Sequence, residues 1–240
     1  MTDGNLVARA FEKLREDGLA ELSKAIYRTI APWQYLIQLH GYKYRFNGHP
    51  GVGNPTNLIT VSPDLITHRI ATSWLDEPLS QGVMIRGGDW DLKAKPFEES
   101  PKYRYISEFA ERDCPPPERT EVVPEWGKSE QYLIEFERLY ESIQTDGFQT
   151  QSELPDGGGV VNEINICIGR DGTMIVKHGY HRVAIAKVLE LDAVPVYVRV
   201  RHEDWQRHRD EAWEADSVKQ LSAETRRHIS HPDIRQALDR

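Results

Sequence analysis

The residues from 163 to 200 constrain the fold more than any other part of the chain. Residues 163–168 read as a strand with alternating polarity, an Asp-Gly turn follows, and residues 173–176 return as a second strand. A tight glycine turn then leads into a helix at 181–190, which is followed by a last β-rich strand. Strand, turn, strand, helix and strand in this order predict an α/β fold with a small mixed sheet and flanking helices.

Two further segments support this class. Residues 57–70 read as two short strands separated by a turn at Ser62-Pro63-Asp64. Ser129 can cap a helix that Gly147 ends, and its apolar residues form one stripe: Leu133, Phe136, Leu139, Tyr140 and Ile143.

The chain divides into three parts. Residues 1–56 form a predicted N-terminal helical arm, within which residues 20–46 mix aromatic and basic side chains and are a candidate protein or membrane-surface contact. Residues 57–200 form the main domain, with an insertion at about 71–128. Residues 201–240 form a predicted C-terminal helical extension.

Charge and composition restrict the function classes. The chain has 30 Lys and Arg against 38 Asp and Glu, for a formal charge of −8, which argues against a surface that grips long nucleic acid. No apolar stretch is long enough to span a membrane, and the polar, acidic start differs from a secretory signal. We therefore expect a cytoplasmic protein whose two cysteines, Cys114 and Cys167, are reduced thiols rather than a disulfide or zinc site.

The candidate site is the turn that follows the second strand. A strand that enters a helix through Gly179 presents backbone N–H groups and the positive end of the helix dipole, and His181 and Arg182 lie in the first helical turn. Lys177 and His178 can add donors. Such a corner suits phosphate, although many strand-to-helix turns hold a glycine and a capping histidine and bind nothing. We call it the phosphate turn: Lys177, His178, Gly179, Tyr180, His181 and Arg182.

The pattern around this turn resembles the ParB/sulfiredoxin superfamily. The shared pieces occur in order as a strand with a polar turn, LITVSPDLI, a helix reading ESI followed by Gly147 and the glutamines after it, and a hairpin that ends in GYHR before VAIAK. The match covers roughly 57–70 and 129–200 and is most specific in its last forty residues. With its GGDWD, LYESI and IGRDG phrases, the chain is also similar to ParB-like nuclease-domain proteins of the haloarchaeal type.

The resemblance implies a nucleoside triphosphate, ATP or CTP, bound at the phosphate turn, with Gly179, His181 and Arg182 on the phosphates. It also implies that Thr150 and Gln151 face the nucleotide, although they can equally cap the helix end. Sulfiredoxins carry a reactive cysteine where this chain has Tyr180, so sulfinic-acid repair is not expected. Only forty residues follow Val200 and show no helix-turn-helix pattern, so DNA binding is less expected. Nuclease activity is also less expected, because the sequence shows no plain nuclease metal site.

One branch of the superfamily phosphorylates small molecules, which implies a carboxylate base and Mg²⁺ beside the same turn. The candidate catalytic residues are Asp89, Asp91 and His181, with Glu163 and Glu141 in reserve. The two aspartates are two residues apart, so an extended loop would place both on one side, where they could hold Mg²⁺. An aspartate beside a glycine is also an ordinary turn residue or helix cap.

The sequence therefore favours a protein that binds a nucleotide or other phosphorylated small molecule, with magnesium-assisted phosphotransfer or phosphohydrolysis as its reaction. The alternative is a nucleotide-gated regulatory module that closes on a partner and catalyses nothing. The two hypotheses differ in whether a carboxylate lies beside the phosphate turn.

Overall fold

The computed structural model of the protein describes residues 58–70, 85–86, 88–111, 130–154 and 162–239. The predicted N-terminal arm at 1–56, its candidate contact stretch at 20–46, Cys114 and the Ser129 cap lie outside these residues.

Strands and helices alternate along the described chain. The strands are β1 (Leu58–Val61), β2 (Ile66–Arg69), β3 (Ile85–Arg86), β4 (Lys95–Pro96), β5 (Ile164–Ile168), β6 (Met174–His178) and β7 (Val194–His202). The α-helices are α1 (Pro101–Ala110), α2 (Glu130–Asp146), α3 (Tyr180–Val188), α4 (Glu203–Glu214), α5 (Ala223–Arg226) and α6 (Pro232–Leu238). Among the described residues, no helix is both long and apolar enough to cross a membrane.

The strands form one mixed sheet in the order β1-β7-β5-β6-β2-β4, and β3 pairs with β7. Strand β5 runs parallel to β7 and antiparallel to β6, and β2 runs parallel to β6. The parallel neighbours β5 and β7 need a crossover connection, and α3 lies within that connection, after β6. The predicted α/β class with a mixed sheet and flanking helices is confirmed.

The predicted turn between β1 and β2 and the predicted glycine end of α2 are both present. Strands β1 and β2 flank a short 3-10 turn at Pro63–Leu65. Helix α2 ends at Asp146, and Gly147 follows with φ +79°, the left-handed conformation that favours glycine. Within the predicted insertion at 71–128, β3 and β4 join the sheet and α1 covers it, so this segment adds to the core of the domain.

The sheet has a buried cluster on each face. Helices α1, α2 and α3 cover the face that carries Ile164, Ile166 and Ile168. The opposite face carries a smaller cluster around Cys167, with Ile70, Trp90, Ile175 and Val200. Cys167 is a free thiol, as expected, and its burial raises its pKa to about 12, so it stays protonated.

Asp233 on α6, which is fully buried, joins helices α4 and α6 to the sheet. Arg201 on β7 donates to both Asp233 oxygens at 2.9 and 2.7 Å, Arg209 on α4 donates at 2.9 Å, and the Trp205 indole donates at 3.0 Å. Burial alone would raise the pKa of Asp233, but the two guanidinium groups hold that pKa far below its usual range. This buried charge network makes the predicted C-terminal helical extension part of the core.

Gly172 in the β5–β6 turn should be far less replaceable than Gly147. Both have positive φ, but a Cβ at Gly172 would lie 2.6 Å from the Trp205 ring, whereas a Cβ at Gly147 meets nothing within 4 Å. We expect Gly172→Ala to lower the free energy of unfolding by roughly 2–4 kcal/mol and Gly147→Ala by only about 1 kcal/mol. Urea denaturation of both variants measures the difference, and equal losses would contradict the close packing of Trp205.

Candidate functional site

Gly179 forms the corner between β6 and helix α3. Its φ is +84°, and a Cβ at this position would lie 3.0 Å from the Ile164 backbone on β5. Glycine is therefore required both for the left-handed conformation and for the close approach of the two chain segments. Gly179 is the N-cap of α3 and supplies no side-chain hydrogen bond to the helix start. No N-cap side chain therefore stands between the start of α3 and its surroundings.

The side chains of Tyr180 and His181, at the start of α3, contact the segment after β2 and helix α2, respectively. The Tyr180 hydroxyl donates to the carbonyl of Ile70 at the end of β2. His181 lies against the Phe136 ring of α2, with ring centroids 4.3 Å apart, and its Nε2 forms a hydrogen bond with the Tyr132 hydroxyl. Lys102 on α1 donates to the same hydroxyl at 3.3 Å. His181 therefore joins α3 to α2, and Tyr132 and Lys102 are contacts that the sequence did not indicate.

Arg182 is held in an internal ion pair. Its Nη1 lies 3.2 Å from Glu163 Oε2, and its Nη2 donates to the carbonyl of Asn162. The Glu163 side chain is only 2% exposed, and its other oxygen accepts from the backbone N–H of Gln151 at 2.6 Å. Burial lowers the pKa of Arg182, and the Glu163 carboxylate acts in the opposite direction. A phosphate at this turn would have to share Arg182 with Glu163.

His178 and its neighbours give the corner a positive potential. His178 is exposed, and its pKa is lowered by partial loss of hydration and then by the positive charges of Arg182, Arg199 and Lys177. Lys177 is largely buried, and Arg199 lies on β7, in a strand whose sequence does not indicate a site residue. These cations gather in a chain whose overall charge is −8.

Tyr197 marks a polar row that the sequence did not reveal. Asn165 on β5 pairs with His178 on one side and with Tyr197 on the other, so the three side chains share one face of the sheet. The Tyr197 residue is 1% exposed, and its hydroxyl has no hydrogen-bond partner among the described residues. Burial raises its pKa, so it stays a donor. In an alternating valine-rich strand such a tyrosine looks like an ordinary core residue.

Gln151 lies beside the turn, whereas Thr150 bonds locally. The Thr150 backbone N–H and hydroxyl both donate to the Glu153 carboxylate, at 2.7 and 2.8 Å. The Gln151 backbone N–H donates to Glu163, which also pairs with Arg182, so the structure brings these three residues together. The reserve candidate Glu141 is an exposed residue of α2.

Asp89 and Asp91 lie at the other end of the sheet, which corrects the arrangement expected from the sequence. Both bond Arg170, which precedes β6, whereas Gly179 follows β6. Five strand residues separate these ends by about 17 Å. Arg170 donates to Asp91 Oδ2 at 2.9 and 3.0 Å and to Oδ1 at 2.9 Å, so both oxygens of Asp91 are engaged.

This arrangement does not suit Mg²⁺, because an arginine occupies the carboxylate oxygens that the ion would need. Within the part of the chain that the structure describes, no group of three or more His, Cys, Asp or Glu side chains could hold a metal ion. Of the carboxylates selected from the sequence, Glu163 is the one that contacts the phosphate turn.

Comparison of the chain with protein-family models, with curated proteins and with solved structures gives no match in any of the three.

The two aspartates should differ sharply in their effect on stability. The Asp91 side chain is 5% exposed and Asp89 is 74% exposed. We expect Asp91→Asn to lower the free energy of unfolding by about 1–3 kcal/mol at neutral pH, and Asp89→Asn to change it by less than about 0.5 kcal/mol. Chemical denaturation measures both values.

The effect of Asp91→Asn should also depend on pH. Burial raises the pKa of Asp91, but hydrogen bonds from Arg170 outweigh burial and leave the pKa lowered. The carboxylate therefore stabilises the fold above its unfolded pKa of about 3.9, and this stability is lost as the pH falls through the folded value. The difference in free energy of unfolding between the parent and Asp91→Asn should therefore decrease at acid pH. A difference that does not change with pH would contradict a stabilising role for the Asp91 carboxylate.

Proposed function

We propose that the phosphate turn at 177–182 binds the phosphate groups of a nucleotide or other phosphorylated small molecule, in a cytoplasmic protein of the ParB/sulfiredoxin-like type. The start of helix α3 carries this proposal. Gly179 at its N-cap has no side chain, so an anion can approach the positive end of the helix dipole closely. The charges of Lys177, Arg182 and Arg199 act at the same corner.

The geometry favours a binding or regulatory module over the phosphotransferase built on Asp89 and Asp91. Those carboxylates lie at the opposite end of β6 and are engaged by Arg170. A base must come within hydrogen-bond reach of the hydroxyl that it deprotonates. Asp89 and Asp91 are too far from Gly179 to meet this requirement for a phosphate bound there.

A phosphotransferase or phosphohydrolase is the second candidate function, and Glu163 is the observation that favours it. Its carboxylate is buried beside Arg182 and also accepts from Gln151. A carboxylate in this position could orient or deprotonate an acceptor hydroxyl. Any Mg²⁺ would then arrive with the phosphates of the nucleotide.

The ion pair with Glu163 sets the strength of anion binding in this proposal. Arg182 has five N–H donors, and the described contacts with Glu163 and Asn162 involve two of its nitrogens. An incoming phosphate would use the remaining donors or draw Arg182 away from Glu163. The Glu163 charge also repels an anion, so the ion pair weakens the binding of phosphate at this turn.

The first test is ligand-induced thermal stabilisation. We expect inorganic tripolyphosphate, ATP or CTP, with and without Mg²⁺, to raise the melting temperature of the parent protein. A ligand at a hundred times its Kd stabilises by about 2.7 kcal/mol, which corresponds to about 5–10 °C for a chain of this size. The double variant Arg182→Gln with Glu163→Gln removes the guanidinium without leaving a buried carboxylate unpaired, and it should lose the shift.

The matched control is Arg207→Ala, which removes the same charge from an arginine that is 69% exposed on α4. This variant should keep the full shift. A double variant that is stabilised as strongly as the parent would reject the phosphate turn as the binding site, and so would a parent that none of these ligands stabilises.

Glu163→Gln separates the two candidate functions. The change removes the negative charge and loosens the hold on Arg182, so a binding module should bind tripolyphosphate several-fold more tightly. A phosphotransferase or phosphohydrolase that uses Glu163 as its base should instead lose about a hundredfold or more of its nucleotide turnover. Calorimetric titration and a phosphate-release assay on the same samples measure the two effects, and weaker binding would contradict the competition described above.

A further inference from the structure

His231 joins helix α6 to the β5–β6 turn through both of its ring nitrogens. It is the N-cap of α6, and its Nδ1 accepts from the backbone N–H of Asp233 at 3.2 Å. Its Nε2 lies 3.0 Å from the carbonyl of Gly172. Because a carbonyl can only accept, Nε2 carries the proton and Nδ1 carries none. The docked helix therefore requires a neutral imidazole of one defined tautomer.

His202 repeats this design at the start of helix α4. Its Nδ1 accepts from the backbone N–H of Asp204 at 3.1 Å, and its Nε2 lies 2.9 Å from the carbonyl of Gly88. Both histidines thus tie a helix start to a glycine carbonyl at the same end of the sheet. The two positions read His-Glu-Asp and His-Pro-Asp in the sequence.

The carboxylates beside the two rings are engaged differently. At His202, the Asp204 carboxylate lies 3.4 Å from Nδ1. At His231, the nearby carboxylate is Asp233, which already accepts from Arg201, Arg209 and Trp205. A proton on His231 Nδ1 would therefore break the helix cap without gaining that acceptor.

The charges around His231 act in both directions. Burial lowers its pKa most, and the positive charges of His228 after α5 and Arg201 on β7 lower it further. The Asp233 charge on α6 and the hydrogen bond to Gly172 in the turn raise it. The result is a lowered pKa, so the neutral form is favoured in the folded state. The Trp205 ring of α4, 4.5 Å away by centroid, covers the imidazole without bringing a charge.

We propose that His231 is a pH-sensitive latch for helix α6. The direction of the pH dependence follows from the neutral imidazole. The latch stabilises the docking of α6 above the unfolded histidine pKa of about 6.5, and this stability is lost as the pH falls toward the lower pKa of His231 in the folded state. A proton on His231 also places a positive charge at the positive end of the α6 dipole. This latch is separate from the phosphate turn, which lies at the opposite end of β6.

Hydrogen exchange read by mass spectrometry tests the latch. After correction for intrinsic rates, amide protection in α6 of the parent should fall several-fold between about pH 7.5 and pH 5.5, because the unfolded histidine gains a proton in this range more readily than the docked one. His231→Asn keeps a side-chain oxygen that can cap the helix and does not titrate. In this variant the protection of α6 should be nearly independent of pH.

Two matched variants complete the test. His208→Asn alters a histidine that also lies against Trp205, with ring centroids 6.0 Å apart, and is not a helix cap, so it should retain the pH response of the parent. In His202→Asn, amide protection in α6 should still fall with pH nearly as much as in the parent. The proposal would be overturned if α6 protection in the parent did not change with pH, or if it fell equally in His231→Asn.

A direct titration guards against a variant that fails to fold. The Trp205 indole N–H donates to Asp233, so its NMR signal reports on the docked α6. In the parent protein, this signal should change with the same apparent pKa as the His231 ring. A His231 ring that is protonated while the Trp205 signal stays unchanged would reject the latch.

Discussion

The described fold depends on strand β5, all five of whose residues are fully buried. A strand without an exposed side needs a neighbour on each edge and a covering layer on each face. Strands β6 and β7 supply the edges, helices α1 to α3 cover one face, and the cluster around Trp90 covers part of the other. Strand β6 runs antiparallel to β5, and Gly172 and Gly179 lie at its two ends. At these glycines the chain comes close to Trp205 and to Ile164, respectively.

The same constraint explains how buried charges are treated at the two ends of the sheet. Asp233 is balanced by two arginines at one end, and Glu163 is balanced by Arg182 at the other. A carboxylate removed from water is tolerated only when opposite charge and hydrogen-bond donors compensate it. The first network holds helices together. The second lies beside the start of α3, where Gly179 is the N-cap, and in the binding that we propose Arg182 would exchange Glu163 for the anion.

The sequence predicted the fold well where the signal was local. The β5–β6 hairpin, helix α3, the Gly147 end of α2 and the turn at Ser62-Pro63-Asp64 each follow from neighbouring residues. The site was harder, because its partners come from distant segments. Nothing local indicates that Arg182 pairs with Glu163, that Arg170 holds Asp89 and Asp91, or that the Tyr197 hydroxyl lies in a polar row. Such contacts depend on the strand order, which the sequence pattern did not specify.

The strand order also bears on how the chain reaches this structure. Strand β1 pairs with β7, and β2 pairs with β6, so partners from nearly opposite ends of the described chain must meet. Closing such long loops costs entropy before any contact is gained, which slows folding. The β5–β6 hairpin and α3, by contrast, are contiguous in sequence. Their contacts are local, so we expect them to form before the long-range pairs of β1 with β7 and of β2 with β6.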